Sequence, residues 1–202
     1  MDSMADGPEV IPDDFLNLDR EGFRQWLVDN HETAKECRVI ISGLDYPARM
    51  SYLDAVEEAL CFGWIDSTHN KIEGIGNVLR LSPRRPRSRF TRLNMARCER
   101  LESLGLMTDA GRKAIPAKGF KIDRYVLKRI RNDPEVTRMI ETLPKLYVEI
   151  RADNIQSVRK DDPKLYRDRM KRFMDNTRVG KMYGKWDDDG KLPHEPLFSM
   201  PE

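Results

Sequence analysis

Between positions 80 and 100 the chain carries eight arginines, Arg80, Arg84, Arg85, Arg87, Arg89, Arg92, Arg97 and Arg100, against the single acid Glu99, a local charge of plus seven. A guanidinium presents planar, forked donors that match the oxygens of phosphate and carboxylate, so the chemistry such a cluster offers is anion binding. Pro83 and Pro86 restrict the backbone and predict a short, extended, semi-rigid run displaying Arg84, Arg85 and Arg87. A helix beginning near Ser88 would add free backbone N–H groups and a positive dipole end. The spacing of Arg92, Arg97 and Arg100 instead favours a solvated helix face or pairing with nearby acids. For Arg84 and Arg85 two readings stand side by side, an anion site and a structural ion pair with Asp66 or Glu58.

Just upstream, Trp64–His69 and Asn77–Ser82 carry β-branched and aromatic residues around a Gly-containing loop, Asn70–Gly76, the pattern of an antiparallel hairpin. If His69 faces Asn77, the register that gives one apolar side, Ile65, Leu79 and Leu81 share that side. The other side then holds Trp64, Asp66, Thr68, Val78, Arg80 and Ser82, with Asp66 directly across from Arg80. Together with Arg84, Arg85, Arg87, Ser88 and Asn94, the residues Trp64, Asp66, Thr68 and Arg80 form the predicted ligand-binding wall. Trp64 could stack on a ligand, but a Trp following an apolar helix more commonly belongs to the core. Asp66 beside a guanidinium would be a poor base, and its spacing from His69 puts the two on opposite strand faces, so neither forms a dyad. His31, His69 and His194 share no ligand spacing with the cysteines, and Asp187-Asp188-Asp189-Gly190 reads as a turn rather than a calcium loop. No metal, no cofactor and no nucleophile–base pair is predicted.

The elements that must position these groups are mostly helical. Asp19 is a cap candidate for a helix with Phe23, Trp26 and Leu27 on one face and Arg24, Gln25 and Asp29 facing away. Arg38–Ser42 is a strand candidate. Ser51 with Asp54 makes an approximate capping box before Leu53, Val56, Ala59 and Leu60, and Gly63 ends that helix. Ser88 or Thr91 caps the next, which runs through Leu93, Ala96, Arg97, Leu101 and Leu104 to Gly105, and Thr108 caps a short one. Lys121–Arg131 and Lys145–Ser157 read as helices, and Asp133-Pro134 and Asp162-Pro163 each combine a cap with a first-position proline. The predicted fold class is α+β, predominantly helical, with helices around a small antiparallel hairpin or sheet and a C-terminal helical extension. The expected organisation is an arm over 1–18, a core over 19–118, a helical extension packed on it over 119–191 and a tail over 192–202.

Composition limits the partners. Thirty-six basic and 34 acidic residues leave a net charge of +2, without the global excess of a dedicated nucleic-acid binder, so any attraction is local. Cys37, Cys61 and Cys98 are odd in number and set among apolar neighbours, which suits reduced, packed thiols better than disulfides. Met1–Asp14 is acidic and polar rather than a secretory signal, and no membrane-spanning run follows, so the expectation is a cytoplasmic protein without membrane insertion. The oligomeric state is not legible.

Several ordered motifs carry a resemblance: Glu58-Ala59-Leu60-Cys61-Phe62-Gly63-Trp64-Ile65-Asp66, Pro83-Arg84-Arg85 through Ser88, Asn94, Gly105-Leu106-Met107-Thr108, and Asn176-Thr177 through Gly180-Lys181-Met182-Tyr183-Gly184-Lys185-Trp186 to Asp189-Gly190. Over roughly Phe23 to Lys191 the chain resembles the YdeI/OmpD-associated (bacteriocin-protection) family, with Leu81 and Phe90 departing from aromatic positions of its pattern. The resemblance implies a role in protection against bacteriocins or antimicrobial peptides, a stress-resistance phenotype that specifies no reaction. The residues themselves leave three readings. One is a binding module for a phosphate- or carboxylate-bearing small molecule. Another is a nucleic-acid binder extending the cluster through Arg92, Lys121, Arg124, Lys128 and Arg129. The last is an enzyme with a polar site at the hairpin.

Overall fold

The structure, a computed structural model, describes residues 14–42, 50–86 and 88–195. Arg87, most of the N-terminal arm and the end of the tail lie outside the described residues. The chain divides into two compact units, Met1–Arg89 with Leu101–Ile115, and Phe90–Arg100 with Pro116–Glu202. Eight helices and one three-stranded antiparallel sheet are found among the described residues, an α+β fold in which helix predominates, as the sequence predicts.

In the first unit, α1 (Arg20–Asn30) starts where Asp19 accepts from Gly22 N, and α2 (Tyr52–Cys61) starts with the full capping box, Ser51 and Asp54 each accepting from the other's backbone N–H. Gly63, at φ +74°, turns the chain out of α2 into the sheet, a left-handed position that suits a residue without Cβ. The sheet has the order β1 (Cys37–Ser42), β3 (Gly76–Pro83), β2 (Trp64–Ile72), so β3 is central. Phe23 and Leu27 of α1, Val56, Ala59 and Leu60 of α2, and Val39, Trp64, Leu79 and Leu81 of the sheet are buried as core. Arg24 does not face away from this core as its spacing predicts. Its guanidinium reaches Glu58 Oε2 at 2.7 Å and the Leu106 carbonyl at 2.8 Å, because a buried carboxylate on α2 needs a cation that the amphipathic pattern of α1 alone does not reveal.

All three cysteines are free and buried. Burial pushes the Cys37 thiol up to about 12 and the Cys61 thiol to about 11, so both are neutral near pH 7 and poor nucleophiles. A maleimide should therefore label none of the three in the native protein and all three after unfolding in urea, as counted by mass spectrometry. Stoichiometric labelling of native protein at neutral pH would contradict this packing.

The second unit begins at Phe90 and takes in α3 (Arg92–Ser103) as far as Arg100, so the division runs through that helix. Asn94 N bonds Thr91 Oγ1 at 3.2 Å, so the cap is Thr91 and not Ser88. After α4 (Asp109–Ala114), which Thr108 caps in the first unit, come α5 (Arg124–Arg131), α6 (Pro134–Ile140), α7 (Lys145–Gln156) and α8 (Pro163–Arg178). Asp133 and Asp162 accept from Val136 N and Leu165 N with proline at the first turn, as their sequences predict. Val126, Ile130, Val136, Ile140, Tyr147, Phe173 and Trp186 are among the residues of the buried cluster. No helix among the described residues is long and apolar enough to cross a membrane.

The hairpin forms, but in a different register. The strands are longer than predicted and the loop shrinks to the residues between Ile72 and Gly76. Ile65 faces Ser82 and Asp66 faces Leu81, one residue away from the assumed pairing, then the register shifts again between Asp66 and Thr68, so that Thr68 faces Arg80 and His69 faces Leu79. A one-residue slip exchanges strand faces and a second restores them. Trp64 and Asp66 therefore leave the Arg80 side, while Ile65 and Ser67 join it.

Candidate functional site

On the face that carries Arg80, the first unit has an open cavity of about 460 Å³ lined by Lys35, Ile65, Ser67, Arg80, Ser82, Pro83, Arg84, Arg85, Ser88 and Arg89. Three segments build it. Lys35 comes from the turn before β1, brought in because β1 pairs with β3 through Cys37 and Leu81. Ile65, Ser67, Arg80 and Ser82 come from the paired strands β2 and β3. The remainder is the segment after β3, whose base is held by Arg84 N donating to the Gly63 carbonyl at 3.0 Å.

That segment is a turn rather than the extended run predicted from its prolines. Ser88 N donates to the Arg85 carbonyl at 3.1 Å, with Pro86 in the position where a fixed φ favours a β-turn. The turn folds Arg84 inward. Its Nη1 lies 3.0 Å from the Arg89 carbonyl and 3.4 Å from Ser88 Oγ, both neutral acceptors. Arg85 is exposed at the rim, and neither it nor Lys35 makes a side-chain hydrogen bond or ion pair among the described residues.

Arg80 bonds Glu36 through Nε and Nη2 and Ser67 Oγ through Nη1. The hydrogen bond from Arg80 holds the Glu36 carboxyl below its usual range, and the same contact raises the guanidinium. Glu36 itself does not line the cavity; five cationic side chains do, and no carboxylate. The carboxylates expected as internal partners of Arg84 and Arg85 are engaged elsewhere: Glu58 by Arg20 and Arg24, and Asp66 by the Tyr52 hydroxyl at 3.0 Å.

Of the predicted wall, Arg80, Arg84, Arg85 and Ser88 thus come together. Trp64 does not join them; it is 1% exposed, its Nε1 donates to the His31 carbonyl, and its ring meets Trp26 edge-on. Asp66 lies on the helix side of the sheet for the register reason given above, and the predicted Asp66–Arg80 pair is absent among the described residues. Thr68 is exposed beside Arg80 without lining the cavity. Asn94 belongs to the second unit, where its Oδ1 accepts from Arg97 Nη1 at 2.9 Å. Arg87 lies outside the described residues.

The helical arginines are taken up by acids of their own unit. Arg92 bonds Glu149 at 2.6 Å and reaches Glu99, and Arg97 grips Asp188 with two bonds of 2.8 Å. Asp188 and Asp189 both have positive φ, the turn predicted for that acidic run. Lys35, Ser67 and Arg89 were not singled out from sequence. Only Arg89 had a signal, its membership of the cluster; Lys35 reaches the cavity by strand pairing across more than forty residues of chain.

With this geometry in view, the comparisons with known proteins correct one expectation. The chain is similar, over residues 16–114, to the family described as Domain of unknown function (DUF8412). No model of the YdeI/OmpD-associated family matches, so the resemblance drawn from ordered motifs does not hold. The DUF8412 match contains the sheet, the Arg-rich segment and every residue lining the cavity. The motif words that suggested another family have local causes here: Gly63 supplies a left-handed turn and Trp64 fills the core behind it. No curated protein and no solved structure matches the chain.

Proposed function

We propose that the protein is a binding module for a small anion bearing phosphate or carboxylate oxygens, held in the cavity between the sheet and the turn after β3. The observation that carries this reading is the lining, in which Lys35, Arg80, Arg84, Arg85 and Arg89 converge with three serine hydroxyls and no carboxylate. Like charges gathered in a partly enclosed space repel one another, and an anion relieves that repulsion while accepting charge-assisted hydrogen bonds. A cavity of about 460 Å³ also has the size of a small-molecule site.

A ligand that binds only the folded state raises stability by RT ln(1 + [L]/Kd), about 2.7 kcal/mol at a hundredfold excess over Kd. Phosphate, added at constant ionic strength, should therefore raise the melting temperature of the wild type. Arg84→Ala combined with Arg85→Ala should abolish that rise while leaving the far-ultraviolet circular dichroism unchanged. Arg85→Ala alone, which removes no internal contact among the described residues, should weaken it. An undiminished rise in the double variant would falsify the site, and a rise produced equally by chloride would reduce it to general screening.

A further inference from the structure

Two arginines of the second unit meet at one tyrosine. Arg151 lies one turn after Tyr147 on α7, and its guanidinium carbon is 5.7 Å from the centre of the Tyr147 ring and 5.2 Å from that of Tyr183. From α8, Arg172 places its guanidinium carbon 4.4 Å from the centre of the same Tyr183 ring. Arg169, one turn earlier on α8, donates through Nη1 to the Asn154 carbonyl at 2.5 Å. Gly184 leaves room for the first of these, since a Cβ there would stand 2.9 Å from Arg151 Nη1. Among the described residues none of the three guanidiniums is paired with a carboxylate. The acids of α8 that flank Arg172 are taken by others, Asp168 by Lys164, and Asp175 by Lys171 and Arg178. Arg151 Nε is buried without a hydrogen-bond partner. An aromatic face attracts a cation by about 0.5–2 kcal/mol, but it neither neutralises the charge nor satisfies the in-plane N–H donors. The Tyr183 hydroxyl lies in the same field: burial raises its pKa, against the opposing charges of Arg151, Arg172 and Arg169.

We infer that these groups bind a small organic dicarboxylate, with one carboxylate on Arg151 and the other on Arg172. A guanidinium and a carboxylate are both planar and meet through two parallel N–H···O bonds, an arrangement that occupies both oxygens. Two forks carried by different helices therefore each take a carboxylate of their own. The carbon chain that joins the two passes beside the Tyr183 ring, whose hydroxyl adds a donor. Arg172 and Gly184 are exposed and Arg151 and Tyr183 half-buried, so the pair is open to solvent. This site shares no residue with the cavity of the first unit and does not depend on an anion binding there.

The test follows the carbon-13 Cζ resonance of Tyr183, assigned by its loss in Tyr183→Phe, which reads this unit alone. The full chain is titrated at neutral pH with acetate, succinate, glutarate and orthophosphate, and with chloride as the screening control. Joining two carboxylates makes the second contact intramolecular, so the better of succinate and glutarate is expected to bind at least about tenfold more tightly than acetate or orthophosphate. Arg172→Gln should remove that advantage and bring dicarboxylate and acetate within about twofold of each other. Arg172→Lys, which keeps the charge without the fork, should retain only part of it. The side chain is exposed, so both variants should keep the wild-type circular dichroism. A dicarboxylate no tighter than acetate overturns the inference, as does an advantage that survives Arg172→Gln. Orthophosphate binding as tightly as the better dicarboxylate also overturns it, in favour of a general oxyanion site, and so does a Tyr183 signal that moves no further with any of these probes than with chloride.

Discussion

Gly111→Ala destabilises the protein by about 3 kcal/mol or more, the upper end of the usual cost of overpacking. Gly111 is buried in α4, and a Cβ placed there would sit 2.2 Å from the Cys61 carbonyl oxygen and 2.8 Å from that of Leu60. Both obstacles are backbone, so no side-chain rotation relieves them. The close approach has a purpose, since the same Cys61 carbonyl accepts from Thr108 N at 3.1 Å and from Thr108 Oγ1 at 2.6 Å, which ties the start of α4 to the end of α2. Forcing the helices apart breaks those bonds and disturbs Gly63, whose own space is limited by the Ala110 carbonyl. Urea unfolding of Gly111→Ala beside Gly119→Ala provides the comparison, because a Cβ at Gly119 meets nothing within 4 Å and should cost under about 0.5 kcal/mol. Equal midpoints for the two variants would show that α2 and α4 are not packed as described.

The second large effect concerns the buried acids of α2. Glu57 and Glu58 are 1% and 2% exposed, and the cations that compensate them come from α1. Arg20 Nε lies 2.7 Å from Glu58 Oε1 and Arg24 Nη1 2.7 Å from Glu58 Oε2, while Arg20 Nη1 reaches Asp54 at 2.8 Å and Glu57 at an ion-pair distance of 3.0 Å. Burial lowers the two guanidinium pKa values, but the hydrogen bonds and charges of the groups around them, Glu58 first, outweigh it and leave both raised.

Arg20→Leu with Arg24→Leu strands Glu58 in the interior without a counter-charge. The expected loss is about 3–5 kcal/mol, the range for breaking a buried pair from one side. Adding Glu58→Leu should recover part of it, since replacing the whole pair by apolar groups removes the desolvation penalty along with the attraction. Lys164→Ala, which removes an exposed partner of Asp168 on α8, should change stability by no more than about 0.5 kcal/mol. A double variant that unfolds within 1 kcal/mol of the wild type would sink the argument.

Elements whose signals are local were legible in the sequence. The Asp19, Ser51, Thr108, Asp133 and Asp162 caps and the Gly63 stop each depend on residues within a few positions of one another, and each is found. The arginine cluster was legible too, as composition, but its division was not. Arg92 and Arg97 are consumed by Glu149 and Asp188, more than fifty residues away, while Arg84 and Arg85 line a cavity. Which carboxylate a cation finds is set by packing rather than by neighbours in the chain.

What the sequence determined by itself is therefore the α+β class, most helix starts and stops, and the presence of concentrated positive charge beside a hairpin. The tertiary structure alone decided which side chains share that charge. The register irregularity between Asp66 and Thr68 moved Trp64 and Asp66 to the helix side and brought Ile65 and Ser67 to the Arg80 side. Pairing of β1 with β3 carried Lys35 to the cavity, and the Pro86 turn folded Arg84 inward. The physical reason is that caps and turns are settled by short-range hydrogen bonds. Strand register, by contrast, has a period of two residues, so a shift of a single position, costing little locally, exchanges every side chain between core and site.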